Sequence, residues 1–147
     1  MVISRFEEIE SWQRARDLTA EIYRVSRSGS FGKDFGLRDQ IQRSSISTMA
    51  NIAEGFGRNG KKEFIRYLTV AQASSVELQS HLYIALDLGY ITEQDFARLY
   101  SMADNLRKLV GGFIRYLNSC PDHLQRETRN EKRETSPHTS RSGQLPR

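Results

Sequence analysis

Residues 43–58 have the sequence RSSISTMANIAEGFGR, in which apolar residues recur at the three- and four-residue spacing of a helix. Small and polar residues, among them Ser44, Ser47 and Ala50, stand where an ordinary core helix has large side chains. The segment leads into Gly55-Phe-Gly-Arg-Asn-Gly60, which has the Gly-x-Gly-x-x-Gly letters of a dinucleotide-binding loop. That loop requires a strand before it and a helix that begins within it. Because a helix precedes it here, we interpret the glycines as a helix end followed by a turn.

Four blocks of the chain have helical periodicity, and strand-like alternation is found nowhere at useful length. No proline occurs before position 121, so only glycine clusters interrupt the helices. The four blocks extend over about 8–27, 37–56, 61–88 and 92–117. In the glycine-rich connection between the first two, Phe31 and Phe35 are expected to fold back onto the core. The pattern predicts an all-α fold, an up-down-up-down antiparallel four-helix bundle with short links.

The third block has a regular seam and additional apolar residues outside it. Phe64, Leu68, Ala71, Ser75, Leu78, Leu82 and Ala85 alternate steps of four and three, which suits helix packing at about 20°. An excess of apolar residues off the seam predicts a second packing partner, with large aromatics that merely flank the core as the alternative. The residues expected at a subunit interface are Ile65, Tyr67, Val70, Val76, Tyr83 and Ile84.

The composition changes near residue 118. From Ser119 to Arg147 there is no Ile, Val, Phe, Tyr or Trp, and all three prolines fall there. Such a segment cannot bury enough apolar surface to offset its ordering entropy. We therefore predict a four-helix bundle over residues 1–118 and a disordered polar tail over 119–147.

Catalytic and metal-binding patterns are missing from the sequence. Of the three histidines, only His81 precedes the tail, and no spacing of His, Cys or Glu matches a zinc or di-iron site. No general base accompanies Ser44, Ser45 or Ser47 in sequence. We expect a protein that is not an enzyme and that has no cofactor and no metal.

The location of the protein is predicted from its cysteine content and hydropathy. The single cysteine, Cys120, can form no internal disulfide, which fits a reducing compartment. Acidic residues interrupt the start of the chain, and no apolar run approaches the ~20 residues needed to span a bilayer. We expect a cytoplasmic protein with no membrane partner.

Several polar residues are set among Ile and Ala in the second and third helices. Arg43, Asn51, Glu54 and Glu77 are predicted to form a polar network at a helix–helix or subunit seam, because polar groups in such surroundings usually need partners. The alternative is four separate, solvated side chains.

Basic residues cluster around the turn between the second and third helices. Residues 1–118 contain 16 Lys and Arg against 14 Asp and Glu, so a case for nucleic-acid binding depends on local clustering. The pattern predicts binding driven by charge or shape, without base readout, although most such runs are only a solvated face. The candidate residues are Arg38, Arg43, Arg58, Lys61, Lys62 and Arg66.

Motifs distributed over residues 6–117 resemble those of a known family. They include Trp12-x-x-Ala15, Asn51-Ile-Ala-Glu-Gly55, Glu63-Phe64-x-x-Tyr67-Leu68 and Gly89-Tyr-Ile91. The chain resembles the bacterial four-helix-bundle proteins first noticed as reading frames in intervening sequences of large-subunit ribosomal RNA genes. Relatives of that family include the accessory variability proteins of diversity-generating retroelements.

The resemblance implies a cyclic homopentamer of four-helix bundles. For the retroelement relatives it also implies nucleic-acid binding through a basic surface, with the basic role falling on Arg43, Arg58 and Arg66, and association with a reverse transcriptase. The function expected is therefore that of a non-enzymatic accessory protein that binds the phosphate backbone of RNA or DNA. The alternative is a protein-interaction scaffold that oligomerises without binding nucleic acid.

Overall fold

The computed structural model describes residues 2–121, and every regular element within that range is helical. A 3-10 turn at Phe6–Glu8 is followed by α1 (Glu10–Ser26), α2 (Gly29–Lys33), α3 (Phe35–Gly57), α4 (Lys61–Asp87) and α5 (Glu93–Ser119). The predicted all-α fold is confirmed, with four long helices and one short helix between the first two of them. Most of the predicted tail lies outside the described residues.

Hydrogen bonds between neighbouring long helices show how they pack. Thr19 Oγ1 of α1 donates to the backbone carbonyl of Ser45 in α3 at 3.2 Å. The hydroxyls of Ser47 in α3 and Ser74 in α4 are 2.9 Å apart. Along α4 and α5, Lys61 reaches Cys120 and Gln79 reaches Asp104, so rising numbers on one helix meet falling numbers on the other. The helices therefore run antiparallel to their neighbours.

The predicted seam of α4 forms the centre of the core. Leu68, Ala71, Leu78, Leu82 and Ala85 are completely buried, and the corresponding residues of α5 are Leu99, Ala103, Leu106, Val110 and Leu117, all buried. At the N-terminus of α5 the hydroxyl of Thr92 accepts a hydrogen bond from the backbone N–H of Asp95 at 3.0 Å, a helix cap. These features agree with the periodicity and the capping pattern of the sequence.

The connection between α1 and α3 is more ordered than a loop. Phe31 of α2 is buried as predicted and stacks on Tyr90 with ring centroids 5.3 Å apart. Asp34 caps α3 by accepting from the backbone N–H of Leu37, and its other oxygen accepts from the Tyr90 hydroxyl at 2.9 Å, which raises the pKa of Tyr90. Because this cap starts α3 at Phe35, the Phe35 ring lies outside the bundle and is 63% exposed. The expectation that Phe35 covers the core is wrong.

The glycines after residue 54 form a helix end and a turn, as predicted. The helix α3 continues to Gly57, and α4 begins at Lys61. A Cβ atom added to Gly55 would lie 2.6 Å from Cβ of Tyr67 and 3.0 Å from Cδ2 of Phe64. Since real Cβ atoms do not approach other carbon atoms so closely, only glycine permits α3 and α4 to meet at this point.

We predict that Gly55→Ala lowers the free energy of unfolding by about 2 kcal/mol, because the new methyl group overpacks the α3–α4 contact. Gly57→Ala is the matched control, since a Cβ atom there has no atom within 4 Å. It is expected to be neutral or slightly stabilising. Urea denaturation of the two variants measures the difference, and equal effects would contradict the tight contact at Gly55.

Candidate nucleic-acid interface

The six predicted basic residues do not form one patch. Arg38 and Arg43 lie in the first half of α3, whereas the other four surround the α3–α4 turn. Twenty residues separate Arg38 from Arg58, which corresponds to about 30 Å along a helix. The expectation of a single cluster that includes Arg38 and Arg43 is therefore wrong.

Arg38 has a local structural role, and Arg43 extends from the surface. The Arg38 guanidinium donates to the backbone carbonyl of Gly32 at 3.1 Å and lies 4.6 Å from the centroid of the Phe35 ring. It also pairs with Asp39 at 3.3 Å. Arg43 is exposed, and within residues 2–121 its side chain makes no hydrogen bond or ion pair.

At the α3–α4 turn, two arginines lie against the ring of Tyr67. Arg58 and Arg66 have their guanidinium carbons 5.3 Å and 4.7 Å from the centroid of the tyrosine ring. Glu54 lies 2.6 Å from Arg58, and Glu63 lies 3.1 Å from Arg66. These hydrogen bonds raise the pKa of each arginine and lower the pKa of Glu63. Each arginine is thus already paired with a carboxylate.

The two lysines at the start of α4 differ in their contacts. Lys61 Nζ donates to the backbone carbonyl of Cys120 at 3.0 Å, and a cation at that end of α5 is favourable for the helix dipole. Lys62 is exposed and has no hydrogen bond or salt bridge within the described range. The turn therefore combines four cations with two carboxylates.

The antiparallel packing of α5 brings further cations beside the first half of α4. Arg107 and Lys108 hold the carboxylate of Asp104 at 3.0 Å and 3.1 Å. Hydrogen bonds from Lys108, Arg107 and Gln79 lower the pKa of Asp104 to about 2. Arg115, one helical turn before the end of α5, makes no hydrogen bond or ion pair in the described part of the chain.

The sequence alone did not identify Arg107, Lys108 and Arg115 as candidate residues of a basic surface. Arg107 and Lys108 are adjacent and Arg115 is seven residues, or two helical turns, beyond Lys108, so the three lie on one side of α5, but their position beside α4 follows only from the register of the two helices. We call the combined surface of α4 and α5 the α4–α5 basic surface. It contains six cations and two carboxylates, namely Lys61, Lys62, Arg66, Arg107, Lys108 and Arg115 with Glu63 and Asp104.

The structure does not join the four residues of the predicted polar network within residues 2–121. Asn51 donates to the carbonyl and the hydroxyl of Ser47, whose hydroxyl contacts Ser74 across the α3–α4 seam. Glu54 pairs with Arg58, and Glu77 lies 3.2 Å from His81 on its own helix. The polar seam is thus a chain of Asn51, Ser47 and Ser74, without Arg43 or Glu77.

The six residues predicted at a subunit interface divide into two groups. Ile65 packs against the core and Tyr67 against the α3–α4 turn, so both are partly buried. Val70, Val76, Tyr83 and Ile84 are 41–50% exposed on the outward side of α4. The face they share, including the exposed residues Ala73, Glu77 and Ser80 between them, is called the α4 outer face below.

Residues 7–112 match the family described as 23S rRNA-intervening sequence protein. The chain belongs to this family. The match extends from the 3-10 turn into the second half of α5, so it includes all five helices in part or whole. No curated protein matches the sequence.

A solved structure has the same fold as this family member. It is a protein of unknown function from the S23 ribosomal protein family of Bacteroides thetaiotaomicron, determined at 1.70 Å resolution. The TM-score is 0.65 and the sequence identity 23%, with 71% of this chain and 97% of that chain covered. At this identity the likeness shows the fold alone.

Two further observations concern metal binding and membrane spanning. Among residues 2–121, no group of three or more His, Cys, Asp or Glu side chains is placed to hold a metal ion. No helix in that range is long and apolar enough to cross a membrane. That the protein is not an enzyme and has no cofactor stays a prediction.

The low pKa of Asp104 predicts a contribution to acid stability. The folded-state pKa of about 2 lies below the ordinary value of 3.8, so the contribution is complete above about pH 4 and is lost as the pH falls through 2. We expect Asp104→Asn to make the unfolding free energy depend less steeply on pH between 4 and 2. Urea denaturation across this window measures the slope. Asp17→Asn, on α1, is the control, and an equal change in both variants would contradict the assignment.

Proposed function

We propose that this protein is a non-enzymatic, homo-oligomeric helical bundle that binds the phosphate backbone of RNA or DNA. The observation that supports it best is the pairing of two surfaces on adjacent helices. The α4 outer face exposes apolar side chains, of which Tyr83 packs at the edge against Phe96 and Tyr100 of α5, and the α4–α5 basic surface has a local excess of positive charge.

The shape of the α4 outer face supports assembly with further copies of the chain. Ala73 and Ser80 lie along its middle. Val70 and Ile84 border them on the side of α3, and Val76 and Tyr83 on the side of α5. The small side chains of Ala73 and Ser80 would let another helix approach α4 between the larger residues, with the exposed Glu77 beside them. An apolar face of this kind is typical of an interaction site. The pentamer implied by the family resemblance is the assembly that we propose.

The charge distribution supports binding of a polyanion. In a cyclic assembly each copy would add its basic surface to a ring, which raises the local potential for a phosphate backbone. Lysine and arginine side chains on exposed helix faces contact phosphates without reading base edges, so binding without sequence preference is expected. Membership of a family named for an intervening sequence of ribosomal RNA makes structured RNA a reasonable first ligand.

The relation to retroelement accessory proteins is a further part of the proposal. It includes a reverse transcriptase as a partner, which the family resemblance implies for those relatives. A cytoplasmic location likewise stays a prediction.

The pairing of Arg58 and Arg66 with glutamates favours a second candidate function. A phosphate would have to displace Glu54 and Glu63 before it could use these two guanidiniums. If the other cations of the surface do not bind phosphate strongly enough on their own, the protein is an interaction scaffold that oligomerises without nucleic acid.

We predict that Val76→Glu and Ile84→Glu each convert the assembly to the 16.9 kDa chain, because each replaces an exposed apolar side chain of the α4 outer face by a carboxylate in addition to that of Glu77. Size-exclusion chromatography with light scattering measures the mass. Ala20→Glu is the control, since Ala20 is an exposed residue of α1 away from this face. If both α4 variants keep the mass of the unmodified protein, self-association through this face is wrong.

For nucleic-acid binding, we predict opposite effects of two neighbouring substitutions. Lys62→Ala should reduce the slope of log affinity against log salt by about 1, the loss of one phosphate contact. Glu63→Gln should tighten binding, because it removes a negative charge and releases Arg66. Arg27→Ala is the charge-matched control for Lys62→Ala, because Arg27 directly follows α1 at the end of the bundle away from the α3–α4 turn.

Fluorescence anisotropy with a labelled RNA hairpin, titrated at several salt concentrations, provides both measurements. No binding by the unmodified protein at low salt would contradict the nucleic-acid function and leave the scaffold.

A further inference from the structure

We infer that the outward face of α5 at Lys108, Gly112 and Arg115 is a contact site for the phosphate backbone of a nucleic acid. This site is the α5 part of the α4–α5 basic surface, away from the α3–α4 turn, and it rests on the proposed nucleic-acid function. Three observations support it: a glycine that the fold does not need, the position of a free guanidinium, and the sign of the surrounding charge.

Gly112 lies in the interior of α5, where glycine weakens a helix relative to alanine. The fold gives no reason for it. A Cβ atom added there would contact only Nη2 of Arg115, at 3.6 Å, which is an ordinary van der Waals distance. The residue is partly exposed, and the Arg115 guanidinium is the one group within 4 Å of this Cβ position in the described chain.

The neighbouring Gly111 shows what a glycine required by the fold looks like. A Cβ atom at Gly111 would lie 2.9 Å from Nε2 of Gln72, which donates to the backbone carbonyl of Arg107 across the α4–α5 contact. Gly111 is buried and serves helix packing within the chain. The two adjacent glycines therefore have different explanations, and only Gly112 faces outward without one.

Two cations lie on the same face as Gly112. Lys108 is four residues before it and Arg115 three residues after it, so the three residues share one side of the helix. The Arg115 guanidinium lies beside the glycine backbone, with Nη1 3.5 Å from the Cβ position of Gly111. Lys108 pairs with Asp104, which also holds Arg107, so that one carboxylate is shared by two cations.

The charge of this face selects a phosphate backbone over a two-fold contact with the same face of a second copy. If two copies met here face to face, Lys108 and Arg115 of one would lie against the same cations of the other, and like charges in contact are unfavourable. A phosphodiester is attracted by both cations, and the lack of a Cβ atom at Gly112 lets it approach the helix backbone beside Arg115.

The test combines a steric and a charge substitution with matched controls. Gly112→Leu fills the space through which a phosphate would approach the α5 backbone. Ala97→Leu is its control, because it adds the same side chain to the outward side of α5 near the other end of the helix. Arg115→Ala removes the cation, with Arg27→Ala as the charge control. The probe is a labelled RNA hairpin of about 20 nucleotides, measured by anisotropy at several salt concentrations. The mass of each variant without RNA is measured by light scattering.

We expect Gly112→Leu to raise the Kd about tenfold and Arg115→Ala to reduce the salt slope by about 1, with both controls unchanged. Gly112→Ala should raise Tm by about 4 °C, because alanine is the better helix former, while weakening binding. Opposite effects on stability and binding are what a contact glycine predicts. If Gly112→Leu fails to fold, the RNA affinities of Arg115→Ala and Gly112→Ala decide whether this face binds RNA.

Three results would overturn the site. RNA binding that is lost in Lys62→Ala but unchanged in the α5 variants would remove this site and leave the proposed function. A changed oligomer mass of Gly112→Leu without RNA would assign the face to a contact between copies. No RNA binding by the unmodified protein would remove both proposals.

Discussion

The close contact between α3 and α4 is the constraint on which the remaining structure depends. Gly55 lies directly against Tyr67 and Phe64, and the hydroxyls of Ser47 and Ser74 meet further along the seam. Small side chains on α3 let the backbones approach, so the large apolar residues on the outward side of α4 have no place in this contact. Val70, Val76 and Ile84 are exposed because they lie on the side of α4 opposite the buried seam that packs into the bundle.

The tight seam also determines how the polar groups are satisfied. Serine and asparagine hydrogen-bond within their own helix or directly across the seam, which uses short side chains where long charged ones would not fit. The charged residues lie outside and pair within one helical turn, as Arg58 does with Glu54 and Arg66 with Glu63. Such exposed pairs contribute little stability. The excess positive charge remains where α5 adds Arg107, Lys108 and Arg115 beside α4.

Features set by local periodicity could be predicted from the sequence. The α4 seam and the Thr92 cap depend on spacing along one helix, which the sequence displays directly. The sequence could not show where the Phe35 ring lies. Its direction depends on the Asp34 helix cap, and Asp34 also accepts a hydrogen bond from Tyr90, which is 56 positions further along the chain. Arg115 was missed for a similar reason, since only the register of α5 against α4 brings it to the basic surface. Antiparallel order puts Arg43 near the level of Glu77, yet Glu77 contacts His81 of its own helix.

Sedimentation equilibrium of the unmodified, full-length chain tests most directly whether the α4 outer face is covered by further copies. The face exposes Val70, Val76, Tyr83 and Ile84 in the single chain, with Glu77 and Ser80 among them, so a multiple of the 16.9 kDa chain mass is predicted at micromolar concentration without nucleic acid. A single species of 16.9 kDa at all concentrations would contradict the account.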